Sequence, residues 1–244
     1  MKQIFDSLKK QSPSRIIALG FSAVILVGAV LLMMPFSLKK GVHLSFLNAL
    51  FTSTSAVCVT GLVVVDTADS FTAIGQAIVA ALIQIGGLGI ASVGVGLIIA
   101  AGKRVSIKSR LMVKEALNVD TYLGMVRLVR IVLAITLGFE AAGAIISFFV
   151  FRKDYSPLHA VGISIFHSIA AFNNAGFDNL GGMHNLIPYK DNILLNITTD
   201  VLVIVGGIGF LVLVDIVKQK SFKKLCLHSK VAISMTAVFL IGGT

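Results

Sequence analysis

The chain has 244 residues, of which 56% are hydrophobic and only 13% charged, with no tryptophan. Several uncharged runs exceed the roughly 18 residues that a bilayer-crossing helix needs, which excludes a soluble globular core and indicates a polytopic membrane protein. The net charge of +10 does not point to nucleic acid, because the basic residues fall in three clusters separated by apolar runs, the distribution of cytoplasmic loops under the positive-inside rule.

Residues 1–15 read as a cytoplasmic arm bearing Lys2, Lys9, Lys10 and Arg15. The apolar run at 16–36 has no small-residue cleavage site and predicts a retained helix rather than a signal peptide. Residues 44–65 follow, uncharged and long enough to cross. Their second half reads TSTSAVCVTGL, Thr52 to Leu62, poor material for facing lipid and good material for exposing backbone carbonyls. A helix over 45–57 would rise roughly 20 Å at about 1.5 Å per residue, short of the hydrocarbon thickness near 30 Å.

Charge decides whether this stretch crosses. If 44–65 and the matching 158–177 were both full spans, the basic residues would divide almost evenly between the two faces. If both turn back, three clusters share one face: the arm, then Lys103, Arg104, Lys108, Arg110, Lys114, Arg127 and Arg130, then Lys218, Lys220, Lys223, Lys224 and Lys230. Only Lys39, Lys40, Arg152, Lys153 and Lys190 then lie outside. The re-entrant reading satisfies the rule and sets the N-terminus in the cytoplasm. Non-helical backbone at membrane depth is tolerated only when buried in protein or lining a water-filled cavity, so CVTG predicts a pore lining or a buried site.

The second half repeats the first. Setting Phe51 on Phe166 aligns FTSTSAVCVTGL with FHSIAAFNNAGF without a gap and brings Ser53 onto Ser168, Ala56 onto Ala171 and Gly61 onto Gly176. Each stretch is preceded by a span, at 16–36 and 131–151, and followed by one carrying a glycine cluster, QIGGLGI or IVGGIGF. The expected organisation is a first helix, pore loop, helix repeat at 16–102, a cytoplasmic linker at 103–130, and a second repeat at 131–217. Residues 218–244 read as a second cytoplasmic linker and the start of a truncated third repeat, VAISMTAVFLIGGT.

Span, pore helix, glycine-bearing loop and span together resemble the pore unit of potassium channels. The single glycine of VTGL, the run TSTSAVCVTGLVVVDT with ALIQIGGLGI, and FHSIAAFNNAGFDNL with NITTDVLVIVGGIGF are similar to the Trk/Ktr/HKT superfamily of potassium transporters, and specifically to the Ktr-type membrane subunit. The resemblance implies an all-α membrane protein of four tandem repeats around one pore, of which this sequence carries the N-terminal two. It also implies potassium uptake across the cell membrane through a filter of backbone carbonyls. The ion-facing backbone would be Cys58, Val59, Thr60 and Gly61, with Asn173, Asn174, Ala175 and Gly176. No bound cofactor is implied; K+ is the cargo, and Na+ coupling is left open. The implied partners are a cytosolic nucleotide-binding regulatory ring of the RCK type and a second complete chain, besides membrane lipid.

Other features carry plainer readings. The glycines of GGLG and GGIG lack a strand-turn-helix setting and read as close helix packing. Glu140 and Asp200, ionisable residues in apolar spans, are open between an ion path and an interhelical hydrogen bond or interfacial position. Asp215 reads as a surface partner of Lys218. His43, His159, His167 and His184 show no metal-ligand spacing, and the two cysteines, Cys58 and Cys226, lie in unlike contexts. No Ser/His or Asp/Asp set suggests an intramembrane enzyme. The remaining alternative to a transporter is a non-transporting receptor or assembly subunit.

Overall fold

The first helix among the described residues, α1 (Pro13–Met33), opens on a proline whose missing N–H would have had no helical partner. Its 21 residues rise about 31 Å, enough to cross a bilayer. The structure, a computed structural model, describes residues 12–117 and 124–243; Lys2, Lys9 and Lys10 of the arm, positions 118–123 of the linker and Thr244 lie outside the described residues. A second helix, α2 (Phe46–Cys58), is started by Ser45, whose hydroxyl accepts from the Asn48 N–H at 3.2 Å. Its 13 residues rise about 20 Å, short of the roughly 30 Å hydrocarbon thickness. The chain then returns to the face it entered by: after a short α3 (Thr67–Ser70), Lys39 N donates to Ser70 O at 3.0 Å and Thr72 N to Ser37 O at 2.9 Å. The Thr72 hydroxyl adds a bond to Phe36 O at 2.6 Å. These contacts tie the exit of the loop to the end of α1, which makes α2 re-entrant, as the charge distribution predicts.

The return helix is not one straight span. Helix α4 (Ala73–Leu88) stops at Gly89, whose φ of 77° lies where side chains are strained, and α5 (Ile90–Ala100) leaves at 105° to it. At the end of the molecule where α1 begins, α6 (Ile107–Ala116) lies against α1 and α5, and Ser14 in α1 donates to Glu115 at 2.7 Å.

The second half is built likewise. A 27-residue span, α7 (Met125–Phe151), precedes the re-entrant α8 (Pro157–Phe172), and α9 (Ile193–Gly207) breaks at Gly209 into α10 (Phe210–Gln219), bent by 95°. Helix α11 (Leu227–Gly242) follows. Asp215 faces the start of α11, accepting from Cys226 N at 3.0 Å; the expected attraction to Lys218 is present as well, but weaker than the hydrogen bonds to Cys226 and Ser229. Asn196 is occupied within α9, donating to Lys190 O at 2.7 Å.

The repeat is legible in matched contacts. Ser53 Oγ donates to Ile25 O and Ser168 Oγ to Glu140 O, each at 2.7 Å. These bonds pin each short helix to the preceding span, where Gly28 and Gly143 leave room for the two serines. Gly86 lies under the Val57 carbonyl and Gly206 under the Phe172 carbonyl, each so close that a Cβ would collide. The glycine clusters therefore do two things: one glycine of each admits the end of the pore helix, as the packing reading expects, and another breaks the span.

The core of the first repeat gathers Leu32, Ala49, Val57, Phe71 and Ile83 and extends to Phe166, Ala170 and Phe177 of the second. A separate cluster joins Val95, Val105, Val113, Met125 and Val129. Apolar side chains such as Leu26, Val27 and Val30 on α1 and Leu137 and Ile145 on α7 stay exposed, as lipid-facing surfaces do.

Because overpacking typically costs about 1–3 kcal/mol, Gly86→Ala is expected to lower the melting temperature of the detergent-purified protein. Gly94→Ala, with no atom within 4 Å of the added methyl, should leave it equal or slightly higher, since alanine exceeds glycine in a helix by roughly 0.5–1 kcal/mol.

Candidate functional site

Both re-entrant helices end by the same hydrogen-bonding device. Thr60 N donates to Ser55 O at 3.0 Å and Val59 N to Ala56 O at 3.4 Å; Ala175 N donates to Ala170 O at 2.8 Å and Asn174 N to Ala171 O at 3.1 Å. These nested bonds form a Schellman closure, which places the penultimate residue in the left-handed region. Val59 (φ 55°) and Asn174 (φ 57°) occupy it. Asparagine tolerates this conformation; a β-branched valine does so at a cost of about 1–2 kcal/mol. The closure consumes carbonyls of the last helical turn and turns the chain abruptly at the end of each short helix.

Two residues later stand Gly61 (φ 72°) and Gly176 (φ 69°). A Cβ added to Gly61 would lie 3.1 Å from Ala175 O and 3.3 Å from Gly176 Cα, and one added to Gly176 would lie 3.0 Å from Gly61 Cα. The loops thus meet backbone to backbone at their glycines. Of the eight residues expected to face the ion, Gly61, Ala175 and Gly176 are brought together here. Ala175 and Asn173 are buried, Val59 and Gly61 half-buried, and Cys58, Thr60, Asn174 and Gly176 exposed. Cys58 ends α2 as a free thiol, and Thr60 shares a hydrogen bond with Ser55 at 2.8 Å. Asn174 turns its amide towards Val203 O, at 3.3 Å. The C-terminal ends of α2 and α8 carry the negative ends of their helix dipoles to the base of each loop, a field that favours a cation.

Beyond the two glycines the repeats are joined again. Asp66 Oδ2 accepts from Met183 N at 2.8 Å and Asp69 Oδ2 from Gly182 N at 3.0 Å, while Asn179 donates to Gln76 Oε1 at 3.0 Å. Asp178, just past Gly176, has its carboxyl pushed up from the ordinary range, first by burial and also by the negative charge of Asp66, with the N–H groups of Leu180 and Gly181 partly offsetting both. Sequence reasoning passes over these acidic residues, because single carboxylates after a glycine loop look like ordinary surface charge. It also passes over Gln84, whose amide reaches the second loop. Asp200, one of the two open ionisable residues, is exposed on α9.

Duplicated units in which a short helix enters from one face, closes in a left-handed turn and meets its counterpart at a glycine define a tandem pore-loop membrane protein. The TrkH family, described as cation transport proteins, matches residues 8–239. The chain belongs to this family. It is 40% identical to the potassium/sodium uptake protein NtpJ of Enterococcus hirae, over 96% of this chain and 52% of that protein. It is likewise 40% identical to the Ktr system potassium uptake protein B of Bacillus subtilis, over 94% and 53% respectively, and 36% identical to the protein of that name from Vibrio alginolyticus, over 98% and 52%. The chain therefore spans about half the length of these relatives, all of which are named for uptake rather than for an enzymatic reaction.

The valine in the left-handed closure gives a direct test. Val59→Gly should stabilise the detergent-purified protein by about 1 kcal/mol, the strain released at a positive φ, as read from its thermal unfolding; a loss of stability would show that the valine side chain contributes more by packing than it costs.

Proposed function

We propose that the chain supplies two of the four pore loops of a Ktr/Trk-type potassium uptake subunit in the cell membrane. The observation that carries this reading is the pair of re-entrant helices with matched left-handed closures, meeting at Gly61 and Gly176. A potassium ion entering such a site sheds water and accepts carbonyl oxygens in its place. The backbone at Cys58 to Gly61 and at Asn173 to Gly176 would offer them, the helix ends would hold the ion electrostatically, and the carboxylates of Asp66, Asp69 and Asp178 would raise the local cation concentration at the outer mouth. With a single glycine per loop the filter is short, and discrimination against sodium is expected to be weaker than in a longer one. The name of the Enterococcus relative includes sodium, so Na+ is the second cation to be measured, whether coupled or merely admitted.

In this reading the N-terminus and both basic linkers are cytoplasmic, two complete chains pair in the membrane, and a cytosolic nucleotide-binding ring of the RCK type docks on the linkers, with lipid headgroups as the competing contact. Lys103 and Arg104 are exposed ahead of α6, whereas Lys108 and Arg110 are half-buried within it. Reversing Lys103 and Arg104 to glutamate should therefore weaken co-purification of the regulator at least severalfold while leaving lipid-stabilised folding intact; unchanged capture would remove this surface from the proposal.

The pore itself is tested in a complete four-repeat chain expressed in cells lacking other potassium systems. Gly61→Ser and Gly176→Ser should each reduce K+ uptake or its preference over Na+ roughly tenfold or more, because a Cβ disfavours the turn and strikes the opposing loop. Normal affinity and selectivity in both variants at equal surface expression would favour the receptor or assembly-subunit reading instead.

A further inference from the structure

The two loops meet symmetrically, but what stands behind them differs. Glu140 on α7 is buried, only 6% exposed, within a membrane span where an ionisable side chain is expensive to keep. Its carboxyl oxygen lies 3.2 Å from Asn173 Nδ2, which also lies 3.2 Å from Gln84 Oε1 on α4 and 2.9 Å from Ile169 O. The Asn173 amide sits in a notch left by Gly87, where a Cβ would collide with its oxygen. The cluster thus takes one residue from the first repeat's return helix, one from the second repeat's span, and one from the second loop itself.

The first repeat has no counterpart. The matching serine bonds set Ile25 where the second repeat has Glu140, the matching closures set Cys58 where it has Asn173, and the matching glycines set Ile204 opposite Gln84. Duplication alone therefore does not account for the polar group. A primary amide nitrogen has two hydrogens, and here it faces three oxygens. Rotating Asn173 towards the pore would strip a partner from the buried carboxyl and from Gln84 Oε1, each an unfavourable loss. Asn173 immediately precedes Asn174 in the left-handed turn, so whatever fixes its side chain also fixes the backbone from which the second loop's carbonyls spring.

We propose that Glu140 is a positioning residue for ion specificity, bracketing Asn173 together with Gln84 so that the second loop holds the carbonyl spacing that suits K+ and resists closing on the smaller Na+. This rests on the pore reading above. Its effect runs through the hydrogen bond accepted by Oε1 and not through contact with the ion.

The test uses the complete four-repeat chain in cells lacking other potassium systems, with surface expression quantified, K+ uptake measured and Na+ inhibition titrated. Glu140→Ala should lower the K+/Na+ preference roughly tenfold, the scale of leaving one buried hydrogen-bond donor without its partner, while uptake of cation persists. Glu140→Gln, whose amide oxygen still accepts from Asn173, should keep the preference within about twofold of the parent, an effect smaller than one net hydrogen bond. Ile25→Ala, the equivalent site in the first repeat, should keep it too. If Glu140→Ala does not reach the membrane, Gln84→Leu decides, since it removes the other bracket, together with the hydrogen bond Gln84 shares with Glu140, while Glu140 itself stays in place; the preference should then fall at least roughly threefold, the scale of one neutral hydrogen bond. An unchanged preference in Glu140→Ala, or in Gln84→Leu where that variant decides, overturns the assignment, as does a Glu140→Gln variant as unselective as Glu140→Ala. If the parent chain takes up neither ion, the pore reading falls, and this assignment with it.

Discussion

A helix that ends inside a membrane leaves carbonyls and amides where no lipid can satisfy them, and the organisation of this chain answers that constraint. The Schellman closures at Val59 and Asn174 satisfy part of each helix end internally. The remaining polar backbone is set against protein: Gly86 and Gly206 bring a neighbouring helix directly under the last carbonyls, and Gly61 and Gly176 bring the loops onto each other. Ser53 and Ser168 fix each short helix to its preceding span. Removing any one of these close approaches would expose backbone that the others are arranged to cover.

Within this shared plan the repeats have diverged where the loops are held from behind and from outside. The second loop is fastened to the first repeat by Gln84 and Gln76 and by the carboxylates of Asp66 and Asp69. The first loop is fastened mainly within its own repeat, through Ser55 and Thr60 and through the segment that pairs Leu38 with Phe71. Accordingly Asn173 and Ala175 are buried while Cys58 and Thr60 are exposed. Equivalent positions in sequence thus sit in unequal mechanical surroundings.

Much of the architecture was readable from residues alone, for identifiable reasons. Basic side chains report which face a segment occupies, so the return of 44–65 could be argued without any helix boundary. The gapless alignment on Phe51 and Phe166 matches the structural register, since the closures and glycines fall at corresponding positions. The breaks at Gly89 and Gly209 were not legible, because a glycine in an apolar run supports a packing notch and a hinge equally well, and only the backbone angle separates them. The cluster around Glu140 was hidden for another reason: Gln84 and Asn173 are 89 positions apart and belong to different repeats, so no local pattern joins them. Glu140 stood out as a charge in a span, but its partner could be named only once the fold had brought the second loop against α4.

The breaks also divide the molecule by layer. One layer, with the pore helices and their loops, is packed around Phe71, Ile83 and Phe166, whereas α5, α6 and the beginning of α7 share a core of their own around Val113 and Val129. Gly89 and Gly209, both with open space around them, are the joints between the layers. They are not free swivels: Phe210, just past one joint, packs against Ala171 and Phe172 at the end of α8 and also reaches the cluster of Leu88, Val132 and Val214, so the two layers are geared together at the base of the second loop.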